Sequence, residues 1–406
     1  MSLRISLLSI FIALQATLAF AQDKTYPFVC RDSNRIITNN CDWSRLIHTA
    51  KMLTQADSTL VKLSVLHIGD SHIQGGMLSE ALRQTLQSKY GNGGRGLIVP
   101  LKMAGTNQPA DYSFTSANRA WKATKLTSNK RREGASLTGI SVAFASPALS
   151  LNIGVNNIDD SFSSVTLLHL PAKCNVSANS TEMSITKTGN DSLSYATTFA
   201  LPSACQQLPL YNLSGISELW GAILHNNHNG VVLHSIGNNG ACYQHYNQLD
   251  SFASRTTLFA PNLIIISLGT NEAFGSCKDT QAIKNEIHRL VSALLESNPE
   301  AAILLTTPME CDRRQRSRRG RRRRRRTVFA TNTNCLTVRN IIMQYGAENN
   351  IAVWDLYTVA GGKGSAAKWV ANSLLAKRDH VHCSAEGYRL QGKLLAEALI
   401  QSLTEE

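Results

Sequence analysis

The stretch VKLSVLHIGDSHIQGG, residues 61–76, decides the fold class of this chain. Its first eight residues are an apolar run that predicts a buried strand. The pair Gly75-Gly76 then precedes a segment with helical periodicity, whose apolar residues on one side are Met77, Leu78, Ala81, Leu82 and Leu86. A strand, a tight turn and a helix in succession predict an α/β domain.

The same alternation returns in the second half of the chain. Apolar runs predict strands at 263–266, 301–306 and 351–354, and helical spacing predicts helices at 279–297, 336–345 and 385 to about 403. Strands that read as continuous apolar runs are typical of a parallel sheet covered by helices on both faces.

Between about 106 and 220 the hydrophobic period changes to two, as in the run Ile140, Val142 and Phe144. Alternation with frequent turn residues predicts an antiparallel β-sandwich inserted into the α/β domain, and the alternative is a long disordered loop. The expected organisation is a signal peptide at 1–21, two parts of the α/β domain at 22–105 and 221–406, and a β-rich insertion at 106–220.

The positive charge of the chain is concentrated in one place. The 406 residues include 41 Lys+Arg and 28 Asp+Glu, a net charge of +13. Eleven arginines lie between Arg313 and Arg326, so the rest of the chain carries only 13 − 11 = +2. This distribution excludes a uniformly basic surface, and we expect no nucleic-acid partner. A solvated Arg-rich loop at 312–326 is the commonest interpretation of such a run, and an anionic wall polymer or glycan is the partner it would fit.

The first residues predict export. An apolar run after Arg4 ends in Ala19-Phe20-Ala21, the small-residue pattern of a signal-peptide cleavage site, so we expect a secreted or periplasmic protein cleaved near Ala21. No later segment is long and apolar enough to predict a transmembrane helix, and we expect no integral membrane association.

Cysteine usage agrees with export but does not determine connectivity. Nine cysteines leave at least one unpaired, and the neighbouring pairs are Cys30–Cys41, Cys174–Cys205 and Cys311–Cys335. No CxxC or HExxH spacing occurs, so we expect no metal and no other cofactor. The sequence does not indicate the oligomeric state.

Four segments carry groups that acyl transfer requires, and each follows a predicted strand or precedes a predicted helix. They are Gly69-Asp70-Ser71-His72, the stretch 235–241 with Gly240, Gly269-Thr270-Asn271, and Asp379-His380-Val381-His382. The stretch 235–241 follows the apolar run 231–233, which predicts a strand. Because reactive groups gather at the carboxyl ends of the strands in α/β sheets, we expect these segments to meet at one edge.

In these four motifs, in this order, the chain resembles the SGNH (GDSL-type) hydrolase superfamily. The resemblance covers about 60–105 and 225–400, and it implies a flavodoxin-like three-layer α/β/α domain with serine esterase activity. It makes Ser71 the nucleophile, His382 the base and Asp379 the residue that orients the imidazole, as in other serine–histidine–aspartate sites.

The resemblance also implies an oxyanion hole built from the amide of Ser71, the amide of Gly240 and the side chain of Asn271. Gly237 is the alternative to Gly240, and His380 is the alternative base.

With its predicted export and a β-rich insertion between the first two motifs, the chain is similar to peptidoglycan O-acetylesterases and related carbohydrate acetylesterases. We therefore expect O-acetyl groups on peptidoglycan or another polysaccharide as the substrate. The alternatives are a lipase, thioesterase or arylesterase with the same triad, and a non-catalytic glycan-binding surface protein.

Overall fold

The computed structural model describes residues 25–55, 59–117, 121–128, 137–144, 149–170, 177–179, 186–188, 195–249, 251–275, 277, 279–316 and 327–404. The predicted signal peptide lies outside these residues, so export stays a prediction. None of the helices in the described ranges combines the length and the hydropathy of a membrane span.

The strands, in chain order, are β1 (Ile36–Ile37), β2 (Lys62–Gly69), β3 (Gly96–Ile98), β4 (Tyr112–Ser116), β5 (Trp121–Lys125), β6 (Ile140–Phe144), β7 (Leu149–Val155), β8 (Phe162–Leu170), β9 (Ser177–Asn179), β10 (Thr186–Thr188), β11 (Ala196–Cys205), β12 (Gln207–Ser214), β13 (Glu218–His225), β14 (Gly230–Gly237), β15 (Leu263–Ser267), β16 (Ala302–Thr306), β17 (Asp312–Arg316), β18 (Thr327–Thr331) and β19 (Ala352–Trp354).

The α-helices are α1 (Ser44–Thr54), α2 (Ser71–Gln74), α3 (Met77–Tyr90), α4 (Tyr243–Asn247), α5 (Phe252–Arg255), α6 (Thr270–Phe274), α7 (Thr280–Ser297), α8 (Asn334–Asn349), α9 (Leu356–Val359), α10 (Ser365–Ala371) and α11 (Ala385–Thr404). Short 3₁₀ turns occur at Arg31–Ser33, Ile158–Asp160 and Thr256–Phe259.

A six-stranded sheet forms the centre of the molecule, in the order β1-β19-β16-β15-β2-β14. Its last five strands are parallel, and β1 is antiparallel at the edge. The chain enters this parallel part at β2, adds β14 on one side and then β15 on the other, so the connections reverse direction around β2. Ligand sites in open α/β sheets form at the carboxyl ends of the strands beside such a switch point.

Both faces of the parallel sheet are buried, as the continuous apolar runs predict. Leu63 and Val65 of β2 belong to one apolar cluster with residues of α1, α3 and α11, whereas Leu66 and Ile68 belong to another with residues of α4, α7 and α8. Successive side chains of a strand point to opposite faces, so a strand buried on both faces has no polar face. The prediction of an α/β fold with a parallel sheet is confirmed.

The β-rich part of the chain contains two antiparallel arrays. One is ordered β10-β11-β8-β13-β6-β5, with β3 paired to β13, and the other is ordered β4-β7-β12-β9. Apolar side chains of both arrays, among them Phe114 and Leu167, share a third cluster, while Leu168 and Trp220 contribute to the cluster beneath the parallel sheet. The β-rich part therefore packs directly on the α/β part, and the predicted domain boundaries stay predictions.

A buried ionic group also joins the two parts. Arg83 of α3 makes a bidentate contact with Asp160, at 2.5 and 3.0 Å, and its Nη2 atom lies 3.7 Å from Asp111. Arg95 contacts Asp111 at 2.8 Å. The side chains of Arg83 and Asp160 are almost fully buried. Removal of one partner from such a buried pair is strongly destabilising, because it leaves an uncompensated buried charge.

Two predictions about local structure are wrong. The Arg-rich segment is not simply a loop, because its described ends pair as the antiparallel hairpin β17–β18, with Asp312 opposite Thr331. The segment 235–241 does not follow its strand as a whole, because β14 continues to Gly237. Pairing with β2 extends β14 to Gly237, which lies opposite Gly69, so the strand is longer than its apolar run indicates.

Seven described cysteines form no disulfide: Cys30, Cys41, Cys242, Cys277, Cys311, Cys335 and Cys383. The sulfur atoms of Cys311 and Cys335 lie 3.4 Å apart at the base of the hairpin, and Cys174 lies outside the described residues. Disulfide pairing stays a prediction.

Candidate active site

The four predicted motifs meet at the carboxyl edge of the parallel sheet. Ser71 begins α2 directly after β2, Gly240 follows the end of β14, and Asn271 lies in α6 after β15. The pair Asp379 and His382 belongs to the turn before α11. Because β2 lies between β14 and β15, the first three motifs are brought together by the order of the strands.

Ser71, His382 and Asp379 form a hydrogen-bonded series. Ser71 Oγ lies 3.0 Å from His382 Nε2, and His382 Nδ1 lies 3.1 Å from Asp379 Oδ2. This is the arrangement in which an imidazole takes the serine proton while a carboxylate orients the ring and stabilises its charged form. The catalytic roles of these three residues stay predictions, and their geometry is compatible with them.

The turn that carries Asp379 and His382 is organised by the aspartate itself. Asp379 Oδ1 accepts hydrogen bonds from the amides of Val381 and His382, at 2.9 and 3.0 Å. Partial burial alone would raise the pKa of Asp379, but these two amides and the His382 imidazole outweigh it, so the pKa is lowered. Asp379 is therefore ionised at neutral pH, as its predicted role requires.

The residue after the nucleophile packs against the predicted base. The His72 ring stacks on the His382 ring with centroids 5.5 Å apart, and His72 Nδ1 lies 3.1 Å from the Tyr388 hydroxyl. Burial, and after it the neighbouring His382, lower the pKa of His72 to about 3. His72 is therefore neutral and does not oppose a positive charge on His382. His72 therefore forms a wall of the site beside His382.

Asn271 is tied to the first two motifs. Its Nδ2 atom donates to Asp70 Oδ2 at 3.1 Å and to the Ala241 carbonyl at 2.9 Å. Asp70 also accepts from the His72 amide and caps α2, the role that its position in the sequence indicates. An oxyanion at Ser71 would need one Asn271 hydrogen to turn away from Asp70 or Ala241.

Gly240 and Gly237 occupy different environments. Gly240 is exposed and has φ +77°, and an added Cβ would meet only Thr127, at 3.9 Å. Gly237 pairs with Gly69 and is packed so closely on α2 that a Cβ would lie 2.1 Å from the Gln74 nitrogen. The exposed position favours Gly240 over Gly237 as the second oxyanion donor.

Residues outside the motifs hold the loop that carries Gly240. Gln74 Oε1 accepts from the Asn239 amide at 2.8 Å, and Gln74 Nε2 donates to Asn107 Oδ1 at 2.7 Å. Asn239 Nδ2 donates to the same Asn107 oxygen at 2.9 Å, and Thr127 Oγ1 donates to the Asn239 carbonyl. The motifs do not predict this polar cluster, because Asn107 and Thr127 are far from them in sequence.

Two buried carboxyl groups lie below the site. Burial raises the pKa of Asp70 to about 7 and that of Glu272 to about 7. Glu272 Oε1 accepts from the Tyr243 amide at 2.8 Å and so holds the first residue of α4. Within the described residues, its other oxygen is buried without a hydrogen-bond partner.

His380 is not placed to act as the base. Its Nδ1 atom lies 2.7 Å from Asp312 Oδ2, and its ring stacks on Phe329 with centroids 3.8 Å apart. His67, the other histidine near the first motif, is a buried strand residue between the hydroxyls of Ser79 and Ser267. Within the described residues no group of three His, Cys, Asp or Glu side chains could hold a metal ion.

The comparisons with known proteins agree with this geometry. Residues 212–390 match the model of the GDSL-like lipase/acylhydrolase family, and this range includes Gly240, Asn271, Asp379 and His382. The resemblance to GDSL-type hydrolases is thereby confirmed over this part of the chain, and the chain is a carboxylic ester hydrolase. Ser71 lies before the matched range, because the β-rich part separates it from the other motifs.

A solved structure described as a peptidoglycan O-acetylesterase is similar over nearly the whole chain. It has 21% sequence identity and a TM-score of 0.73, and the alignment covers 91% of this chain and 99% of that one. At this identity the similarity shows a common fold.

Smaller esterase structures align with less than half of the chain. A lipase/acylhydrolase from Enterococcus faecalis has 20% identity, a TM-score of 0.32 and coverage of 43% of this chain and 78% of that one. An acetylxylan esterase from Geobacillus stearothermophilus has 20% identity, a TM-score of 0.28 and coverage of 44% and 74%. A search of curated protein sequences finds no match.

Proposed function

We propose that the protein is an exported serine esterase that removes O-acetyl groups from a polysaccharide, and that this polysaccharide is peptidoglycan. Ser71 attacks the acetyl carbonyl, and His382 takes its proton and returns it to the leaving sugar hydroxyl. In the second half of the reaction, His382 takes a proton from a water molecule that attacks the acyl-enzyme. His382 then returns this proton to Ser71 as acetate leaves. In this proposal the scaffold is a flavodoxin-like three-layer α/β/α domain with an inserted β-sandwich.

The observation that carries the proposal is the hydrogen-bonded series Ser71–His382–Asp379 at an open edge of the sheet. The side chains of His382 and Asp379 are 40% and 30% exposed, so a group attached to a large polymer can reach them. The polar cluster around Asn107 and Asn239 adjoins Gly240 and offers amide groups of the kind that bind sugar hydroxyls. The similarity in fold to a peptidoglycan O-acetylesterase supports the same substrate class.

The test is acetate release from O-acetylated peptidoglycan, acetylated xylan and O-acetylated sialic acid. Ser71→Ala should lower release by at least about 10⁴-fold, because the nucleophile is lost. Ser88→Ala is the matched control, since its hydroxyl is exposed and bonds only to the nearby Thr85 carbonyl. Equal release by wild type and Ser71→Ala would refute the mechanism.

A series of nitrophenyl esters separates the proposal from a lipase. An acetylesterase should prefer acetate over octanoate, whereas rising activity with acyl-chain length would contradict the proposed substrate. If acetate is released from xylan alone, the proposed mechanism stands, but the substrate is acetylated xylan and not peptidoglycan.

A further inference from the structure

The base of the arginine hairpin contacts the turn that carries Asp379 and His382. Asp312, the first residue of β17, lies with Oδ2 2.7 Å from His380 Nδ1, and its amide donates to the His380 carbonyl at 3.2 Å. Phe329 of β18 stacks on the same imidazole, with centroids 3.8 Å apart and ring planes inclined by only 14°. His380 is therefore held on its ring face by Phe329, and at its ring nitrogen and its backbone carbonyl by Asp312.

The residue that is held in this way has an unfavourable backbone conformation. His380 has φ +56°, in the left-handed region that non-glycine residues seldom adopt. It lies between Asp379 and His382, so a change in its conformation would move both. Contacts outside the turn are needed to maintain such a conformation, and Asp312 and Phe329 supply them.

The same hairpin base also contacts the helix that carries Asn271. The guanidinium of Arg313 donates to the Ala273 carbonyl of α6 and lies 5.2 Å from the centroid of the Phe274 ring. Asn332, just after β18, donates to the Ala273 carbonyl at 3.1 Å and accepts from Arg313 Nε at 2.8 Å. Two separate elements of the site are thus joined through one hairpin.

We propose that the hairpin base, defined as Asp312, Arg313 and Phe329, has a positioning role. It holds the Asp379–His382 turn and the Asn271 helix in fixed positions relative to each other. None of these three residues is assigned to the reaction itself. Asp312 and Phe329 act through His380, and Arg313 acts through the carbonyl end of α6. The inference rests on the proposed function, since it assigns these residues to the same site.

The main test compares kcat and KM of four variants on nitrophenyl acetate. Asp312→Ala and Phe329→Ala should lower kcat about 10- to 100-fold with little change in KM, because a displacement near 1 Å in a catalytic group has an effect of this size. Asp312→Asn and Phe329→Tyr should retain most of the activity, since an amide oxygen still accepts the His380 hydrogen bond and a phenol ring still stacks.

A matched control lies beside Phe329. Val328 is 47% exposed on the same strand, so Val328→Ala removes a side chain from the hairpin without changing its contacts to His380. Its kcat should equal that of the wild type. Arg313→Met tests the other side of the hairpin base, and it should lower kcat through Asn271 while the NMR signal of the proton between His382 Nδ1 and Asp379 stays unchanged.

A spectroscopic measurement separates positioning from general loss of structure. The proton between His382 Nδ1 and Asp379 should give a downfield NMR signal in the wild type, and Phe329→Ala should weaken or shift it while Phe329→Tyr retains it. If Asp312→Ala does not fold, the Phe329 pair decides the question.

Wild-type kcat in both alanine variants would overturn the inference, and so would equal losses in Phe329→Ala, Phe329→Tyr and Val328→Ala. A wild-type protein without any ester hydrolysis would instead refute the proposed function.

Discussion

At the scale of single residues, the site depends on how each side chain is held by its neighbours. Ser71, His382 and Asp379 have the contacts that their motifs indicate, whereas Asn271 donates both to Asp70 and to the Ala241 carbonyl. The amide of Asn271 is therefore already oriented toward the first two motifs before a substrate binds. Because Asp70 and the Ala241 carbonyl already accept from this amide, donation to a substrate oxyanion requires one of these two hydrogen bonds to be exchanged.

Replacement of Asn271 by alanine should lower kcat about 10²–10³-fold, because one oxyanion donor is lost. Asn247→Ala is the control, since that side chain donates to Glu286 on the α4–α7 contact and not to the site. Steady-state kinetics on nitrophenyl acetate measures both variants. Unchanged kcat in Asn271→Ala would remove this residue from the oxyanion hole.

The buried Glu272 makes stability depend on pH. Its pKa is raised from 4.5 to about 7, so the folded protein retains this proton while the unfolded chain loses it. The contribution of protonated Glu272 to the free energy of unfolding is complete below about pH 4.5 and is lost as the pH rises through about 7. Glu272→Gln keeps the acceptor for the Tyr243 amide and removes the titration.

Relative to the wild type, Glu272→Gln should therefore gain about 1–3 kcal/mol of unfolding free energy between pH 5 and pH 8. Urea unfolding at several pH values measures this difference. Asp70, whose pKa is also raised to about 7, remains in the variant, so part of the pH dependence should persist. A stability difference that does not change with pH would contradict the assignment.

At the scale of elements, the site is assembled from segments that the strand order brings side by side. α2, the Gly240 loop and α6 follow three adjacent strands, β2, β14 and β15. The turn before α11 reaches the same edge because α11 packs on α3, which follows the nucleophile helix. Gly392 of α11 permits this approach, since an added Cβ would lie 2.3 Å from the Leu78 carbonyl oxygen.

The ionic contact between α3 and the β-rich part should be important for stability. Asp160→Ala leaves Arg83 buried with one fewer carboxylate, and we expect a loss of about 3–5 kcal/mol of unfolding free energy. The exposed pair Arg31–Glu397 is the control, and Glu397→Ala should cost less than about 1 kcal/mol. Urea unfolding compares the two, and equal losses would show that burial does not determine the effect.

At the scale of the whole molecule, the described ends of the arginine-rich segment adjoin the catalytic edge. The hairpin base contacts both the Asp379–His382 turn and α6, so the arginine-rich segment between β17 and β18 starts and ends beside the site. A negatively charged polymer attracted to these arginines would be concentrated near Ser71.

Replacement of the eight arginines between positions 317 and 326 by serine changes the net charge from +13 to 13 − 8 = +5. The variant should elute from immobilised polyglutamate at a lower salt concentration than the wild type, because it has fewer positive charges and salt screens their attraction to the polymer. Its kcat/KM on nitrophenyl acetate should not change. Elution of both proteins at the same salt concentration would exclude the run as the binding surface.

The local patterns of the chain determined much of the fold and the members of the site. Hydrophobic period and length predicted the strands and helices of the α/β part, since each of those elements depends on neighbours along the chain. The four motifs predicted Ser71, Gly240, Asn271, Asp379 and His382 as site residues, and the structure brings them to one edge of the sheet. The family match supports an ester hydrolase.

Only the tertiary structure decided which groups surround those residues. The contacts of Gln74 with Asn239, of Arg83 with Asp160, and of Asp312 with His380 join residues between 68 and 165 positions apart. No sequence period links such pairs, because their proximity follows from the order of strands in the sheet and the packing of the β-rich part upon it. For the same reason the arginine run was expected as a solvated loop, and its attachment to the catalytic turn became visible only in the folded protein.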